Sequence, residues 1–485
     1  TQVALNCSMD ENESQGHAAN QSKEKNMSEN AASIAAQGNE MGTLPVGRLL
    51  RKMSVPLIFS MFVQVLYGLV DSMYVARLGD AALTAISLSM PVQYLVLGVG
   101  IGIGVGVNSV LSQKLGEQDA AGVDRAAGNG FILVWIMSVL FVFLGAFAME
   151  PFYRMQTDIA EVLDMSIAYS KVISIVSFAA LHQVLMERLL SSTGKTQLTM
   201  FPMLTGAVVN IVLDPIMIFG WFGCPAFGIA GAAYATVIAQ AIAAVVGLWL
   251  NVRFNKELRL HRAGFLPNGT VIAEILRVGI PVALSQCLIS VISFGMNNIL
   301  LSLSAVAPGI YVIYIRLQSF VIMPSGGMST AGISIIAYNY GAGNPKRIMD
   351  TLKASISVNL IIAAIGTVVF LAVPEALLSL FDASDAVLAI GVPALRIIAA
   401  SLLFTTTTQI LSGFLQALGR GTDSFVIAIT QAVFLLLSAW LLSLTGSAVL
   451  VWFAFPIMEV LRFIIAVAFT QAAHKNQIMK LEVKA

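Results

Sequence analysis

Charge is what this 485-residue chain has least of: Asp, Glu, Lys and Arg together make up only 11% of it. A soluble domain carries about 25%, so the deficit excludes an ordinary water-exposed fold. Histidine and cysteine are scarcer still, with four and three residues. Cys7, Cys224 and Cys287 are odd in number and scattered, which argues against a disulfide framework or a thiolate metal cluster. No G-x-x-x-x-G-K-S/T loop and no H-E-x-x-H pair occurs, so the chain by itself encodes neither a nucleotide-driven motor nor a zinc hydrolase of that type. His182 is the only histidine within an apolar run. No catalytic residues, no cofactor and no nucleic-acid partner are expected.

What is there is hydrocarbon. Apolar residues make up 57% of the chain, and mean hydropathy is +0.84. Runs of about 20 apolar residues, each able to cross roughly 30 Å of hydrocarbon, recur between short polar breaks. Twelve spans are expected, at 53–76, 84–112, 130–150, 165–190, 198–220, 228–252, 273–300, 310–338, 355–375, 388–418, 424–445 and 448–470. The fold class is therefore an all-α integral membrane protein of twelve transmembrane helices.

The spans fall into two copies. At a constant offset of 225, Pro56 meets Pro281, Ser60 meets Ser285, Gln93 meets Gln318, Gly116 meets Gly341 and Gly194 meets Gly419. So many scattered matches mark a duplicated unit. Basic residues gather before the first span and in the even-numbered connections: Arg48, Arg51 and Lys52, then Lys114 and Arg125, Arg188 and Lys195, Arg253 to Arg262, Lys346 and Arg347, and Arg420. The tail adds Lys475, Lys480 and Lys484. Odd-numbered connections hold acids such as Asp158, Glu161, Asp164, Glu375, Asp382 and Asp385. The positive-inside rule then places both termini in the cytoplasm. Six spans per copy means that both copies enter from the same side, related by a pseudo-two-fold axis along the membrane normal. The expected organisation is a disordered tail at 1–44, a first lobe at 45–252, a cytoplasmic linker at 253–272, a second lobe at 273–471 and a tail at 472–485. Met27 and Met41 offer alternative starts, and an Asn-x-Ser triplet at Asn12–Ser14 would matter only outside the cytoplasm.

Ionisable residues inside spans are costly, so they are the functional candidates. Asp71 shares a helix face with Tyr67 and Gln64. In Asn210-Ile-Val-Leu-Asp214-Pro215 the spacing of four sets amide and carboxylate on one side, and Pro215 deprives the Ile211 carbonyl of its donor. Together these oxygens suit a hard cation or a proton. The competing readings are an outer helix end for Asp71 and an Asp-Pro helix stop for Asp214. Glu459 and Arg462 are spaced to pair with each other, and Arg316 and Arg396 to snorkel or line a cleft wall. Gly98, Gly100, Gly102, Gly104 and Gly106 imitate a phosphate loop, but inside an apolar span they read as two small-residue packing faces. The copies differ at the acids: Asp71 falls on Met296 and Asp214 on Ala439. Any ion site therefore belongs to the first copy.

The stretches LPVGRLLRKMSVPLIFSMFVQVLYGLVDSMYVARLG, NIVLDPIMIFG, FGIAGAAYATVIAQ and GISIIAYNYGAGNPKR resemble those of bacterial multidrug and toxic compound extrusion (MATE) transporters, over about Leu44 to Gln471. The resemblance implies two lobes around a cleft and export of organic cations against inward H⁺ or Na⁺. It implies that Asp71, Asn210, Asp214 and Thr236 hold the coupling ion, H⁺ or Na⁺, with Tyr67 beside it and Pro56 as the bending proline. One branch of the family uses acids in the second lobe; here Met296, Asn297, Asn298 and the Thr405–Thr408 run stand in that region instead. Met61, Met203, Met296, Asn297, Arg316 and Gln318 are candidates for the substrate cleft, since Met adapts to varied apolar shapes. The expected protein is a multi-pass antiporter of the plasma or inner membrane, monomeric, in contact with lipids and small organic molecules. A lipid-linked precursor flippase is the alternative, and it should show several basic residues in its cleft.

Overall fold

The structure is a computed structural model that describes residues 39–304, 306–381 and 384–482. The expected tail up to residue 38, with Cys7, the Asn12–Ser14 triplet and Met27, lies outside the described residues, as do Asp382 and Lys484. Just before the main body, Glu40–Thr43 form one helical turn capped by the Asn39 side chain.

From Pro45 onward the chain is one unit, all-helical among the described residues. The first lobe holds α1 (Val46–Ala76), α2 (Asp80–Gly116), α3 (Ala120–Phe147), the broken helix α4a (Ala160–Ile175) and α4b (Ser177–Ser192), α5 (Thr196–Phe219) and α6 (Ile229–Phe254). The second holds α7 (Gly269–Leu301), α8 (Ala307–Gly341), α9 (Pro345–Ala372), α10a (Asp385–Ala399) and α10b (Leu402–Ala417), α11 (Gly421–Ser443) and α12 (Ala454–Ala473). Ten of these are long and apolar enough to cross a membrane unbroken, and each broken pair supplies one more span. The continuous helices expected at 165–190 and 388–418 are instead bent by 48° and 49°. Backbone angles at Val176 leave the helical range, φ −99° and ψ 18°, without a proline to announce it. Past Ala473 the last helix continues through a π turn to Glu482, so the segment expected as a tail from 472 is helical as far as it is described.

The duplication is visible element by element. α3 and α9 both shift by 225 residues at each end, as do α4b and α10b and the short helices Met149–Arg154 and Pro374–Ser379. Gly194 and Gly419 adopt left-handed φ of 85° and 74° at matching turns. Ser60 Oγ donates to the Pro56 carbonyl at 2.8 Å, and Ser285 Oγ to that of Pro281 at 2.8 Å.

Helices α2 and α8 form the centre. Of their most apolar stretches 78% and 72% of residues are buried, against 22% for α1 and α9, whose apolar sides remain for lipid. The glycine run of α2 explains this. A Cβ on Gly102 or Gly106 would strike the Gly279 or Ile275 carbonyl of α7 at 2.4 and 2.3 Å, whereas one on Gly100 or Gly104 would meet Leu181 or Arg188 of α4b. Small residues on two faces thus let two backbones approach. At the end marked by basic residues, α2 and α8 cross with Gly116 against the Tyr338 carbonyl and Gly341 against that of Gln113. The hydrogen bonds of Ser109 Oγ to the Gln416 carbonyl (2.9 Å), Gln113 Nε2 to that of Ala417 (2.8 Å) and Ser334 Oγ to Asn108 Oδ1 (3.0 Å) tie the lobes at this same end.

The connection between lobes is strapped to α3. Asp124 Oδ1 accepts from the backbone N–H groups of Arg259 and Leu260, and Asn129 Oδ1 from that of Asn268. Phe265 stacks on Trp135 with centroids 6.0 Å apart. Trp135 Nε1 in turn donates to His182 Nε2 at 3.1 Å, which gives that histidine a structural partner.

Candidate ion and substrate cavities

Inside the first lobe, α1, α2, α4, α5 and α6 enclose a cavity of about 120 Å³. Its polar wall is made by Gln64, Tyr67, Glu187, Asn210, Thr236 and Gln240, and its apolar wall includes Met203 and Ile173. The i, i+3 and i, i+4 spacings anticipated on α1 and α5 produce this wall, because residues one turn apart project from one helix face.

Behind the cavity the helix-5 pair is assembled. Asn210 Nδ2 donates to Asp214 Oδ1 at 3.3 Å and to Thr236 Oγ1 at 3.3 Å. Asp214 is fully buried and Asn210 nearly so. Asp71 lies within Coulombic reach of Asp214, and Tyr67 within reach of both. Three buried oxygens in this group, Asp71 Oδ1, Asn210 Oδ1 and Asp214 Oδ2, have no hydrogen-bond partner. Buried acceptors are normally satisfied, so three orphans in one neighbourhood mark a place for a cation or a proton. Among the described residues no cluster of three or more His, Cys, Asp or Glu has metal-binding form; the oxygen set here is two carboxylates, an amide and a hydroxyl, the mixture that suits a hard monovalent ion or H⁺ rather than a transition metal.

Glu187 was not anticipated. It lies on α4b, lines the same cavity, and its Oε1 accepts from Gln183 Nε2 at 3.0 Å. Its signal was present, an acid inside an apolar span, but the adjoining Arg188 makes the pair read as a helix end. Arg188 was expected in a connection; it is within α4b, where its Nη1 donates to Thr330 Oγ1 of α8 at 3.3 Å.

In the second lobe the corresponding place is filled. Met296, at the position of Asp71, and Ala439, at that of Asp214, are both fully buried in one core with Ile292, Tyr314, Leu435 and Trp452. Met296 is therefore core packing, not cleft wall as expected, because α7 turns it onto the apolar side chains of the second-lobe core. The four hydroxyls of Thr405–Thr408 are buried, and three of them bond the carbonyl a turn earlier.

Between the lobes lies a larger cavity of about 350 Å³, lined from α1, α2, α4b, α7, α8, α10b, α11 and α12. Met61 is on its wall, as anticipated for the cleft, and Phe62 faces Phe320 across the lobes with centroids 6.3 Å apart. Arg316 and Arg396 are exposed and do not line it. Its arginines are Arg188 and Arg462. Arg462 Nη1 donates to Glu459 Oε1 at 3.2 Å, the pairing expected from their spacing. Gln318 bonds Tyr314 at the edge of the second core, and Asn297 keeps a buried Oδ1 without a partner. Pro56 and Pro215 both lie inside unbroken helices, and Pro215 is buried.

The family model MatE matches residues 56–216 and again 281–441, two stretches displaced by the same 225 residues as the helices. The chain belongs to the MatE family. Among relatives of this MatE protein, the multidrug export protein MepA of Staphylococcus saprophyticus is 26% identical over 401 residues, covering 82% of this chain and 88% of that protein. MepA of Staphylococcus aureus N315 is 26% identical over 400 residues, covering 81% and 86%. Among solved structures, a MATE crystallised in complex with MaL6 superposes with a TM-score of 0.85 at 25% identity, covering 92% of this chain and 99% of that one. An outward-facing multidrug resistance MATE transporter of the MOP superfamily gives 0.84 at 25% identity, covering 92% and 98%. The MatE protein is thus a multi-pass membrane transporter with the two-lobe, twelve-helix fold, and not an enzyme.

Proposed function

We propose that the protein exports lipophilic, largely cationic organic compounds from the cell across the plasma or inner membrane, as a monomer, in exchange for H⁺ or Na⁺. The end rich in Lys and Arg is the cytoplasmic one, with both termini there. The observation that carries the reading is the group of three orphaned oxygens on Asp71, Asn210 and Asp214 beside the Thr236 hydroxyl, in one lobe only. The export names of relatives that cover most of their length support the same direction of transport.

With its lobes tied at the basic end, the molecule corresponds to a state that faces outward. There, Asp71 and Asp214 repel each other while both are ionised and empty, and a proton or Na⁺ relieves that repulsion. Because the ion is bound best by the arrangement in which these oxygens converge, its arrival shifts the population of helix conformers. α1, carrying Tyr67 and Asp71 and weakened at Pro56, is the element placed to respond, narrowing the first-lobe cavity and expelling substrate. Each charge moved down about 100 mV supplies roughly 2.3 kcal/mol. Met61 and Met203 give the cavities adaptable apolar surface. The test is dye efflux from proteoliposomes under imposed pH or Na⁺ gradients. Gradient-driven movement that Asp71→Asn and Asp214→Asn each abolish is expected, and undiminished movement in either variant would refute the coupling role.

A further inference from the structure

Two seams join the lobes, α2 against α7 and α1 against α8, and the 225-residue repeat exchanges one for the other. Both are tight towards the basic end. On the first seam a Cβ on Gly106, Gly102 or Gly98 would meet the Ile275 carbonyl, the Gly279 carbonyl or Gln286 Cβ at 2.3, 2.4 and 3.1 Å, so the approach loosens along α2 away from that end. On the second a Cβ on Gly327 would meet the Ile58 backbone nitrogen at 2.9 Å. Farther along, the seams differ. Phe62 and Phe320 close the second with ring centroids 6.3 Å apart. At their positions in the first stand Cys287 and Leu95, and there α2 and α7 part around a cavity of about 340 Å³.

This cavity shares no lining residue with the two described above. Its wall includes Tyr94, Leu95, Phe141, Phe152, Cys287 and Ser290, and neither a charged side chain nor an amide is among the described residues that line it. A transported cation finds no counter-charge there. The surfaces beside it face lipid: Leu140 and Phe143 of α3 are 46% and 58% exposed, and Ile289 of α7 is 45% exposed. The medium at this depth is hydrocarbon. An apolar cavity does not take up water without polar partners, and a wall with no atoms against it forfeits its dispersion contacts. An acyl chain restores those contacts. Phe152 belongs to the short helix Met149–Arg154, which also carries Glu150 and Arg154 as an exposed ion pair with N–O of 2.8 Å. An apolar wall and a ledge of two opposite charges therefore adjoin, in the order of chain and headgroup in a zwitterionic phospholipid.

We infer that the α2–α7 seam is a lipid site, holding one acyl chain of a phospholipid from the leaflet away from the basic end, and that the α1–α8 seam, closed by its two rings, holds none. The repeat supplies the argument: the fold tolerates a filled seam at one of two equivalent places, so the cavity at the other comes from side-chain choice and not from helix geometry. Cys287 in place of a phenylalanine is the deciding difference. Neither the direction of transport nor the coupling ion enters the inference.

The probe is a phosphatidylcholine with a diazirine part-way along one acyl chain, mixed into proteoliposomes of the full-length protein, and photolabelled peptides are quantified by mass spectrometry. Labelling around Leu95 and Cys287 is expected to saturate at a low mole fraction of probe, whereas labelling of α9 around the exposed Ile361 and Val368 rises in proportion to it. Cys287→Phe, which copies the ring of the other seam, should lower the saturable labelling by about tenfold. Ser290→Leu, a smaller filling, should lower it less, and unchanged labelling of α9 reports that each variant is folded. The converse double variant Phe62→Cys/Phe320→Leu should create saturable labelling on α1 and α8. Labelling of the α2–α7 seam that rises in proportion to the probe, or saturable labelling that both filling variants leave at the wild-type level, overturns the inference. A diazirine fatty acid that saturates the seam where the phosphatidylcholine does not would assign it to free fatty acid, and displacement of the probe by a lipophilic cationic dye would make it part of the substrate path; either result overturns the phospholipid site.

Discussion

The two lobes share a backbone to within a residue at most helix ends and differ most at one place. Where the first lobe keeps a cavity of about 120 Å³ with Glu187, Asn210 and Thr236 on or near its wall and two acids behind it, the second places Met296, Leu435 and Ala439 in a filled core. One fold supports both because the helix positions are set by small-residue contacts between backbones, and these are insensitive to what fills the lobe interior. The polar lobe gives up packing and keeps three buried oxygens without a partner, on Asp71, Asn210 and Asp214, where the proposed ion would bind. The apolar lobe returns that packing and supplies a rigid wall.

The comparison can be broken most directly by moving the acids. Met296→Asp or Ala439→Asp puts an uncompensated carboxylate in a packed core, which costs on the order of 3–5 kcal/mol; greatly reduced folded yield and a large fall in Tm are expected, and a stable variant with a second ion site would show the lobes to be interchangeable. Next in size, Asp71→Asn and Asp214→Asn should reduce ion-coupled efflux in everted vesicles by about a hundredfold or more, the loss of one interaction worth some 2.7 kcal/mol, while leaving Tm close to that of the parent. Glu187→Gln should lower efflux of a cationic dye by about tenfold, as for one lost charge contact, whereas Thr408→Ala at the opposite lobe's Gln183 position should change it less than twofold. Gly116→Ala and Gly341→Ala should behave alike, since each Cβ would lie within 2.0 Å of a carbonyl oxygen from the other lobe; a loss of about 1–3 kcal/mol of stability is the cost of such overpacking, read from thermal melts. The smallest effect concerns Gln118, held at φ 59° where the second lobe has Gly343 at φ 67°. Gln118→Gly should raise stability by about 1 kcal/mol by removing left-handed strain, and a fall would mean that the side chain contributes more than its backbone costs.

Much of this was legible in the sequence, for identifiable reasons. Span number followed from hydrocarbon thickness, and the 225-residue spacing carried the topology. The Asn210–Asp214 pairing was readable because four residues make one turn. The bends in α4 and α10 were hidden, since neither break contains a proline, and continuous apolar character looks the same in a straight helix and a bent one. Arg188 was misread as loop because charge counting locates bilayer edges, while α4b carries its arginine inward to Thr330 of the other lobe. Met296 was assigned to the cleft because Met adapts to varied apolar shapes, although side-chain direction depends on neighbours that only the folded lobe supplies.

The glycine crossing at the basic end also sets a scale for the energy of the cycle. Closure there rests on backbone contact and a few hydrogen bonds from Ser109, Gln113 and Ser334, with net values of about 0.5–1.5 kcal/mol apiece. Three such bonds amount to a few kcal/mol, the same order as the roughly 2.3 kcal/mol released by one charge crossing 100 mV. A latch much stronger than its fuel would lock, and one much weaker would leak. By closing with short polar contacts from Ser109, Gln113 and Ser334, this end of the protein keeps its latch on the energy scale that the proposed exchange of one ion would supply.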